Sequence, residues 1–349
     1  MRNEFCTMLD LNYLPRGLVL HRSLSEACDD FRLRVFCMDH GTRSILNRMR
    51  LPNLITIGID ELESYDPGLR AVKPSRNSIE YCWTAKPSIC LYVFKHEPDL
   101  DIVTYLDGDT MFFDDPAPIF DELGDAFCLL TPSRDPESKG PSYVTPSLTL
   151  RRDPRAETAL GWWRQRCLEW CYDRVEDGRW SDLSYLNDWP RRFPGTRVLH
   201  HPGSLGEWNV RYFHVSAENG RVLVDGRPLV LFHYGALWIY RGRLTRLPQH
   251  GILAGYYHAS PGPLVWATAN AISADERDLL WDPYLRRLGK AVEEVRRFDP
   301  EYSAGLVRLS VRELAYSTTR SVLRPSVRTT LKKLLSHRRG TRSPPGSPQ

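Results

Sequence analysis

Short apolar runs, each ending at a polar or glycine residue, recur along the first third of this chain, and that alternation leaves few folds open to it. Residues 5–9, 33–38, 55–58 and 102–106 read as buried strands. After the turn Asp10-Leu11-Asn12-Tyr13, Pro15 stands where a helix opens, with Leu18, Leu20, Leu24, Ala27 and Cys28 as its apolar side. A second helical stretch, about residues 78–94, carries Trp83, Ile89, Leu91 and Phe94. Strands alternating with helices predict an α/β fold in which a mixed, mostly parallel sheet is flanked by helices. Residues 127–130 and 144–150 continue the strand pattern, and residues 157–175 predict a long helix with Leu160, Trp163, Cys167, Trp170 and Cys171 facing inward.

The second half changes character. Residues 190–240 read as short strands (197–199, 222–224, 229–232) broken by turns such as Asp225-Gly226. From about Ser273 the pattern is helical, with Asp282-Pro283 as a predicted cap and first turn, Leu285, Leu288, Val292 and Val295 at helical spacing, and Asp299-Pro300 as the stop. The spacing therefore predicts a core over residues 1–260, a helical extension over 261–317 and a basic tail, partly disordered, over 318–349.

Charge and cysteine usage exclude several classes. Eight basic residues (Arg320, Arg324, Arg328, Lys332, Lys333, Arg338, Arg339 and Arg342) follow the last acidic one, Glu313, and they exceed the net charge of +4, so the rest of the chain is acidic. A nucleic-acid binder is not expected from such a distribution. Arg320, Arg324, Arg328 and Lys332 recur every four residues beside Leu323, Val327, Leu331 and Leu335, a basic stripe that suits peripheral contact with an anionic membrane surface, although Pro325 interrupts it. The eight cysteines lie mostly in apolar segments with no Cys-x-x-Cys pair, and Cys167 and Cys171 alone make half a zinc site, so reduced thiols are expected. The N-terminal stretch carries charges and a proline where a signal peptide needs an apolar run, so a cytoplasmic protein, if need be peripheral on the inner membrane face, is expected.

The chemistry concentrates at Asp107-Gly108-Asp109, directly after the apolar run 102–106. Two carboxylates one residue apart at the carboxyl end of a buried strand can converge on one hard cation, while Gly108 lets backbone or phosphate come close. Taken alone, Asp-Gly-Asp is also an ordinary polar turn. Three further segments accompany it in order: Phe5-Cys6-Thr7-Met8-Leu9-Asp10-Leu11-Asn12-Tyr13, Ser181-Asp182-Leu183-Ser184-Tyr185-Leu186-Asn187 and Leu231-Phe232-His233-Tyr234-Gly235.

With Tyr105-Leu106-Asp107-Gly108-Asp109, these segments make residues 3–260 resemble the family-8, glycogenin-like glycosyltransferases, whose Rossmann-like nucleotide-sugar-binding fold is called GT-A. The resemblance implies transfer of a sugar from a nucleoside-diphosphate sugar, a UDP-sugar in particular, to a saccharide or lipid-linked acceptor, with retention at the anomeric carbon. It further implies that Asp10, Asn12 and Tyr13 hold the base and ribose, that Asp107, Asp109 and His233 hold Mn²⁺ or Mg²⁺, and that Gly108 and Gly235 let the diphosphate approach. Mixed carboxylate and imidazole donors suit Mn²⁺ better. Lys86 matches a basic position facing the donor sugar or its phosphates, Asp182 a carboxylate near the reacting carbon, and Asn209, in Gly206-Glu207-Trp208-Asn209, a residue lining the donor side. On residues alone, Asp10 and Asn12 read equally as helix caps, His233 as a core histidine and Lys86 as a surface lysine.

This chain departs from the family twice: Leu183 stands where an amide follows the carboxylate, and no lysine follows His233-Tyr234-Gly235, where Arg241 or Arg243 is the available substitute. The first departure keeps open a degenerate, non-catalytic nucleotide-sugar binder. An aspartate-nucleophile phosphatase would need Asp-x-Asp-Gly-Thr, which Asp107-Gly108-Asp109-Thr110 scrambles, and a nucleotidyltransferase would need a Gly-rich basic loop where Leu11-Asn12-Tyr13-Leu14 stands.

Overall fold

The computed structural model describes residues 3–138, 140–235, 237–241, 256–258, 264–266 and 273–308. The basic stretch after residue 313, with its expected membrane contact, and Arg243 lie outside the described residues, as does the side chain of Arg241.

The elements of the first half are β1 (Asn3–Leu9), α1 (Leu14–Ala27), β2 (Phe31–Cys37), α2 (His40–Met49), β3 (Leu54–Gly58), α3 (Ile59–Tyr65), α4 (Pro67–Val72), α5 (Ser78–His96), β4 (Ile102–Leu106), β5 (Thr110–Phe112), α6 (Ala117–Phe120), β6 (Cys128–Pro132), β7 (Tyr143–Arg151) and α7 (Pro154–Glu169). They are followed by α8 (Trp189–Arg192), β8 (Thr196–Val198), β9 (Ser204–Gly206), β10 (Val215–Glu218), β11 (Arg221–Val224), β12 (Arg227–Pro228) and β13 (Leu231–His233). The main sheet has seven strands in the order β3-β2-β1-β4-β7-β6-β8. β7 runs against both β4 and β6, and the other described pairings are parallel. The expected mixed, mostly parallel sheet with flanking helices is what the chain adopts.

Sequence explains the layering. In β1 every residue from Phe5 to Leu9 is buried, as a strand covered on both faces requires. One core cluster carries Phe5, Leu9 and the α1 leucines, and the other, across the sheet, carries Cys6, Ile89 and Val93 of α5 and Leu160 and Trp163 of α7. Asp39 caps α2 by accepting from Thr42 N (2.7 Å), and its other oxygen accepts from Leu11 N (2.8 Å), tying the turn after β1 to the turn after β2. A second, small sheet in the order β5-β13-β9 lays His233 opposite Thr110 and beside Gly206. The Asp225-Gly226 turn joins β11 to β12, with both residues at positive φ (48° and 75°), the geometry that favours Asp-Gly there. Four further strands, β14 (Trp238–Arg241), β15 (Tyr256–His258), β16 (Leu264–Trp266) and β17 (Leu306–Arg308), pair in the order β15-β16-β14-β17.

Two expected helix boundaries shift. α7 stops at Glu169 rather than continuing to residue 175: Trp170 turns extended (φ −155°, ψ 118°) after its N–H closes on Arg166 O, so Cys171 is buried beyond the helix and does not share a helical face with Cys167. At the other end, Ser273 is the cap, accepting from Glu276 N (3.1 Å), and α9 (Ala274–Glu276) and a π-turn (Arg277–Trp281) run directly into α10 (Asp282–Phe298), leaving Asp282 inside a continuous helix. α10 is no separate appendage to the core. Its Leu285, Leu288, Val292 and Val295 join the same cluster as Phe5 and Leu18, and Tyr284 stacks on Tyr234 at 3.6 Å. Beyond α10, Tyr302 Oη donates to Leu11 O (2.5 Å), and a Cβ at Gly305 (φ 67°) would stand 2.4 Å from Asn12 O. No helix among the described residues is long and apolar enough to cross a membrane.

Candidate active site

Strand β4 delivers Asp107 to the carboxyl edge of the sheet, where open α/β folds bind ligands. Thr110 N donates to Asp107 O (3.2 Å) to close the turn, and Tyr105 Oη donates to Asp107 Oδ1 (3.1 Å). Gly108 is buried, and its absent side chain is answered from inside: a Cβ there would lie 2.5 Å from Leu9 Cδ2 and 3.3 Å from Met8 O. The same leucine fills the space at Gly17, where a Cβ would stand 2.1 Å from Leu9 Cδ1. Gly108 thus lets the turn settle on the end of β1.

Asp109 and His233 meet because β5 and β13 are paired. His233 Nε2 lies 2.8 Å from Asp109 Oδ1 and 3.9 Å from Asp107 Oδ2. Burial alone would push the His233 pKa down, but the charge of Asp109 and the hydrogen bond to it, with Asp107 and Glu207 behind, lift it to about 9. For Asp109 burial pulls upward, and the His233 partner overcomes it, holding the carboxyl below its ordinary value. His233 Nδ1 is buried and meets no hydrogen-bond partner among the described residues. The ring is braced by Trp208, edge-on at 5.4 Å, and Gly235 leaves open the space where a Cβ would stand 3.2 Å from Nε2.

Lys86 is buried at 4% exposure on α5, so it is not the surface lysine that its residue type suggests. Its Nζ donates to Thr145 Oγ1 (2.8 Å) and lies 3.3 Å from Asp107 Oδ1 and 3.4 Å from Asp182 Oδ2. Desolvation would lower its pKa, but Asp107 and Asp182 reverse that and hold the ammonium above its usual value. Asp182, 1% exposed, is raised by burial, with Lys86 offsetting part of the shift. Apart from that ion pair, both Asp182 oxygens are buried without a hydrogen-bond partner among the described residues. Two acids, a lysine, a further acid and an imidazole thus meet from β4 and its turn, α5, the segment after α7 and β13.

The turn after β1 flanks this cluster. Asn12 Nδ2 donates to Asp10 Oδ2 (2.8 Å), and Tyr13 N donates to Asp10 Oδ1 (2.9 Å), so Asp10 organises the turn. The Tyr13 ring lies under the Arg16 guanidinium (4.6 Å), and its hydroxyl is pushed up by burial and then by the charge of Asp109. Asn209 is positioned differently. Its Oδ1 accepts from Gly206 N (3.0 Å) and its Nδ2 donates to Ser133 O (2.8 Å), so both polar ends hold backbone. Trp208, Thr145, Tyr105 and Arg16 complete the surroundings; Tyr105 and Trp208 stand inside the quoted motifs, whereas Thr145 and Arg16 carry no motif signal, because they act through contacts between distant segments.

As for a cation, the donor chemistry of Asp107, Asp109 and His233 fits one, and their mutual distances of 2.8 and 3.9 Å bracket the about 3 Å between neighbouring ligands on an octahedral ion. Among the described residues, no three His, Cys, Asp or Glu side chains form a ready-made cage.

Comparison with known proteins adds the following. No protein-family profile matches the chain. Among solved structures, it is similar to galactosyltransferase LgtC in complex with donor and acceptor sugar analogs (16% identity, 67% of this chain and 87% of that one, TM-score 0.45). It is also similar to the apo form of mouse xyloside xylosyltransferase 1 (14% identity, 68% and 98%, TM-score 0.45). Among sequences, the uncharacterized protein YfnD of Bacillus subtilis (strain 168) is 26% identical over 313 residues, 87% of this chain and 94% of its own length. The uncharacterized protein YfnF of the same organism is 32% identical over 248 residues, 67% of this chain and 81% of its own length, and the chain belongs to the same family as YfnF.

Proposed function

We propose that the chain is a divalent-cation-dependent glycosyltransferase, taking a sugar from a nucleoside-diphosphate sugar, a UDP-sugar on the resemblance of its motifs, to a saccharide or lipid-linked acceptor with retention. The observation that carries this reading is the convergence of Asp107, Asp109, His233, Lys86 and Asp182 at one sheet edge. Asp10, Asn12 and Tyr13 offer a carboxylate, an amide and a flat ring to the base end. Asp107, Asp109 and His233 would hold the cation, Mn²⁺ by preference, and bound there it would supply positive charge against the diphosphate that leaves.

The chain's own residues do the rest. Lys86, kept charged by its two acids, adds a fixed positive charge next to where the sugar-phosphate bond would break, in a site dry enough to make it count. Asp182, with oxygens free of other hydrogen bonds, can accept from a sugar hydroxyl or face the anomeric carbon. Gly235 keeps the space beside His233 Nε2 clear. Leu183, in place of an amide, withdraws one polar contact from the sugar, so a non-catalytic binder is the alternative that the assay must address.

A thermal-shift screen of nucleotide sugars with and without Mn²⁺ tests the reading, since a ligand that binds only the folded state raises the melting point by mass action. A Mn²⁺-dependent rise with one donor, accompanied by Mn²⁺-dependent donor hydrolysis, is the expected result. A rise without hydrolysis or transfer would reduce the protein to a binder, and no rise with any donor would sink the proposal. The anomeric configuration of the product, read by proton NMR, tests retention.

A further inference from the structure

Close in sequence to Lys86 and Asp182 stand two tryptophans to which the transferase reading gives no role. Trp83 precedes Lys86 by three residues on α5, which puts the two on neighbouring positions of one helix face. Trp180 precedes Asp182 by two. The two indoles meet edge to face with centroids 5.5 Å apart and planes at 61°, and both are half-buried. Trp83 rests against the core cluster. Trp180 is held by other means: its Nε1 donates to Asp173 Oδ1 (3.1 Å), its backbone N donates to Ser184 Oγ (2.8 Å), and Ser184 Oγ donates back to its carbonyl (2.7 Å). Asp173 N in turn donates to Glu80 Oε1 of α5 (3.0 Å), so the loop is fastened to the helix that carries Trp83.

Such fastening gives a preformed aromatic surface of two half-buried rings, carried two residues before the buried Asp182 and three before the buried Lys86. The charges of the loop are spent on one another, Arg174 on Glu176 (2.8 Å) and Arg179 on Asp177 (3.2 Å), so the surface makes little ionic demand. A flat apolar face beside hydrogen-bonding groups suits a neutral polyhydroxylated ring, which lays its C–H face on an indole and turns its hydroxyls toward polar partners. We propose that the Trp83 and Trp180 pair is the acceptor platform, seating a neutral pyranose so that one hydroxyl faces the Asp182 side. This rests on the transferase reading for the word acceptor, though not for the sugar-binding surface itself.

The test uses the full chain and three neutral probes: methyl β-D-glucopyranoside, methyl β-D-galactopyranoside and lactose. Tryptophan fluorescence of the wild type should change saturably with at least one of them. Trp180→Ala and Trp83→Leu should weaken that response about tenfold or more, and Trp180→Tyr, which keeps a flat ring, should restore most of it. The Mn²⁺-dependent thermal shift with UDP-glucose or UDP-galactose, read on the same samples, should be unchanged in all three variants. Absence of any saturable response in the wild type, or an equal response in Trp180→Ala, overturns the proposal. A normal sugar response in a protein that shows no donor shift leaves the platform standing and removes the transferase reading instead.

Discussion

The ammonium of Lys86 lies 3.4 Å from Asp182 Oδ2, and neither residue is more than 4% exposed. Removing one member of such a pair leaves the other charge uncompensated in a dry site. Lys86→Met is therefore expected to destabilise the fold by about 3 kcal/mol, measured by urea denaturation. Transfer should fall by about a hundredfold or more, and restoring stability by a second, distant mutation should not recover it.

Asp109→Asn tests the cation instead. The amide can keep a hydrogen bond to His233 but not the charge that raises its pKa, so the unliganded melting point should fall modestly, while the Mn²⁺-dependent part of the nucleotide-sugar shift is lost. The comparison is made by scanning calorimetry with and without Mn²⁺. A retained metal-dependent shift would remove Asp109 from the cation site.

Gly108→Ala pushes a methyl group to within 2.5 Å of Leu9 Cδ2, in a core that Gly17 already closes from the other side. Overpacking of this kind costs about 1–3 kcal/mol. Because the conflict is with a side chain, the penalty should shrink in a Leu9→Ala background, and a double-mutant cycle in urea reads that coupling. An additive cycle would show that the glycine is required for a backbone reason.

Outside the site, Asp66 accepts from both Arg164 and Ser88 and from Leu69 N, and its side chain is buried. Desolvation raises its pKa, the Arg164 and Ser88 hydrogen bonds lower it more, and the folded-state value is depressed. A depressed carboxyl contributes stability that is complete above the unfolded value of about 3.9 and is lost as pH falls through the lower folded one. Asp66→Asn should cost about 3 kcal/mol at neutral pH and remove part of the acid-side slope of stability. Urea midpoints across pH 2 to 6, roughly the carboxylate range, measure both.

Much of this was legible in the sequence where the signal is local. Residues 5–9 and 102–106 are short continuous apolar runs, and both are strands buried on two faces. The Asp-Gly turn at 225 and 226 declares itself by composition, and Pro15 marks the opening of α1. Boundaries set by tertiary contact were not legible. α7 ends where Trp170 turns into the segment leading to Asp182, although the apolar spacing itself runs on. At the site, motif order brought Asp107, Asp109, His233 and Asp182 forward. The burial of Lys86 could not be read, because it depends on Thr145 and Asp107 arriving from two antiparallel strands that only the sheet brings together. Asn209 was equally opaque: its side chain serves two backbone groups, and Ser133, which accepts one of its bonds, lies far off along the chain.

The turn between β1 and α1 is gripped from behind by the last described segment, through Tyr302 on Leu11 O and Gly305 against Asn12 O. Occupancy of that turn and seating of residues 302–305 are then two sides of one equilibrium. Whatever free energy a ligand at that turn gains from a well-seated segment 302–305, that segment must gain from the ligand. Protection of the amides around residue 302 against hydrogen exchange would accordingly report whether a ligand is bound at the turn after β1.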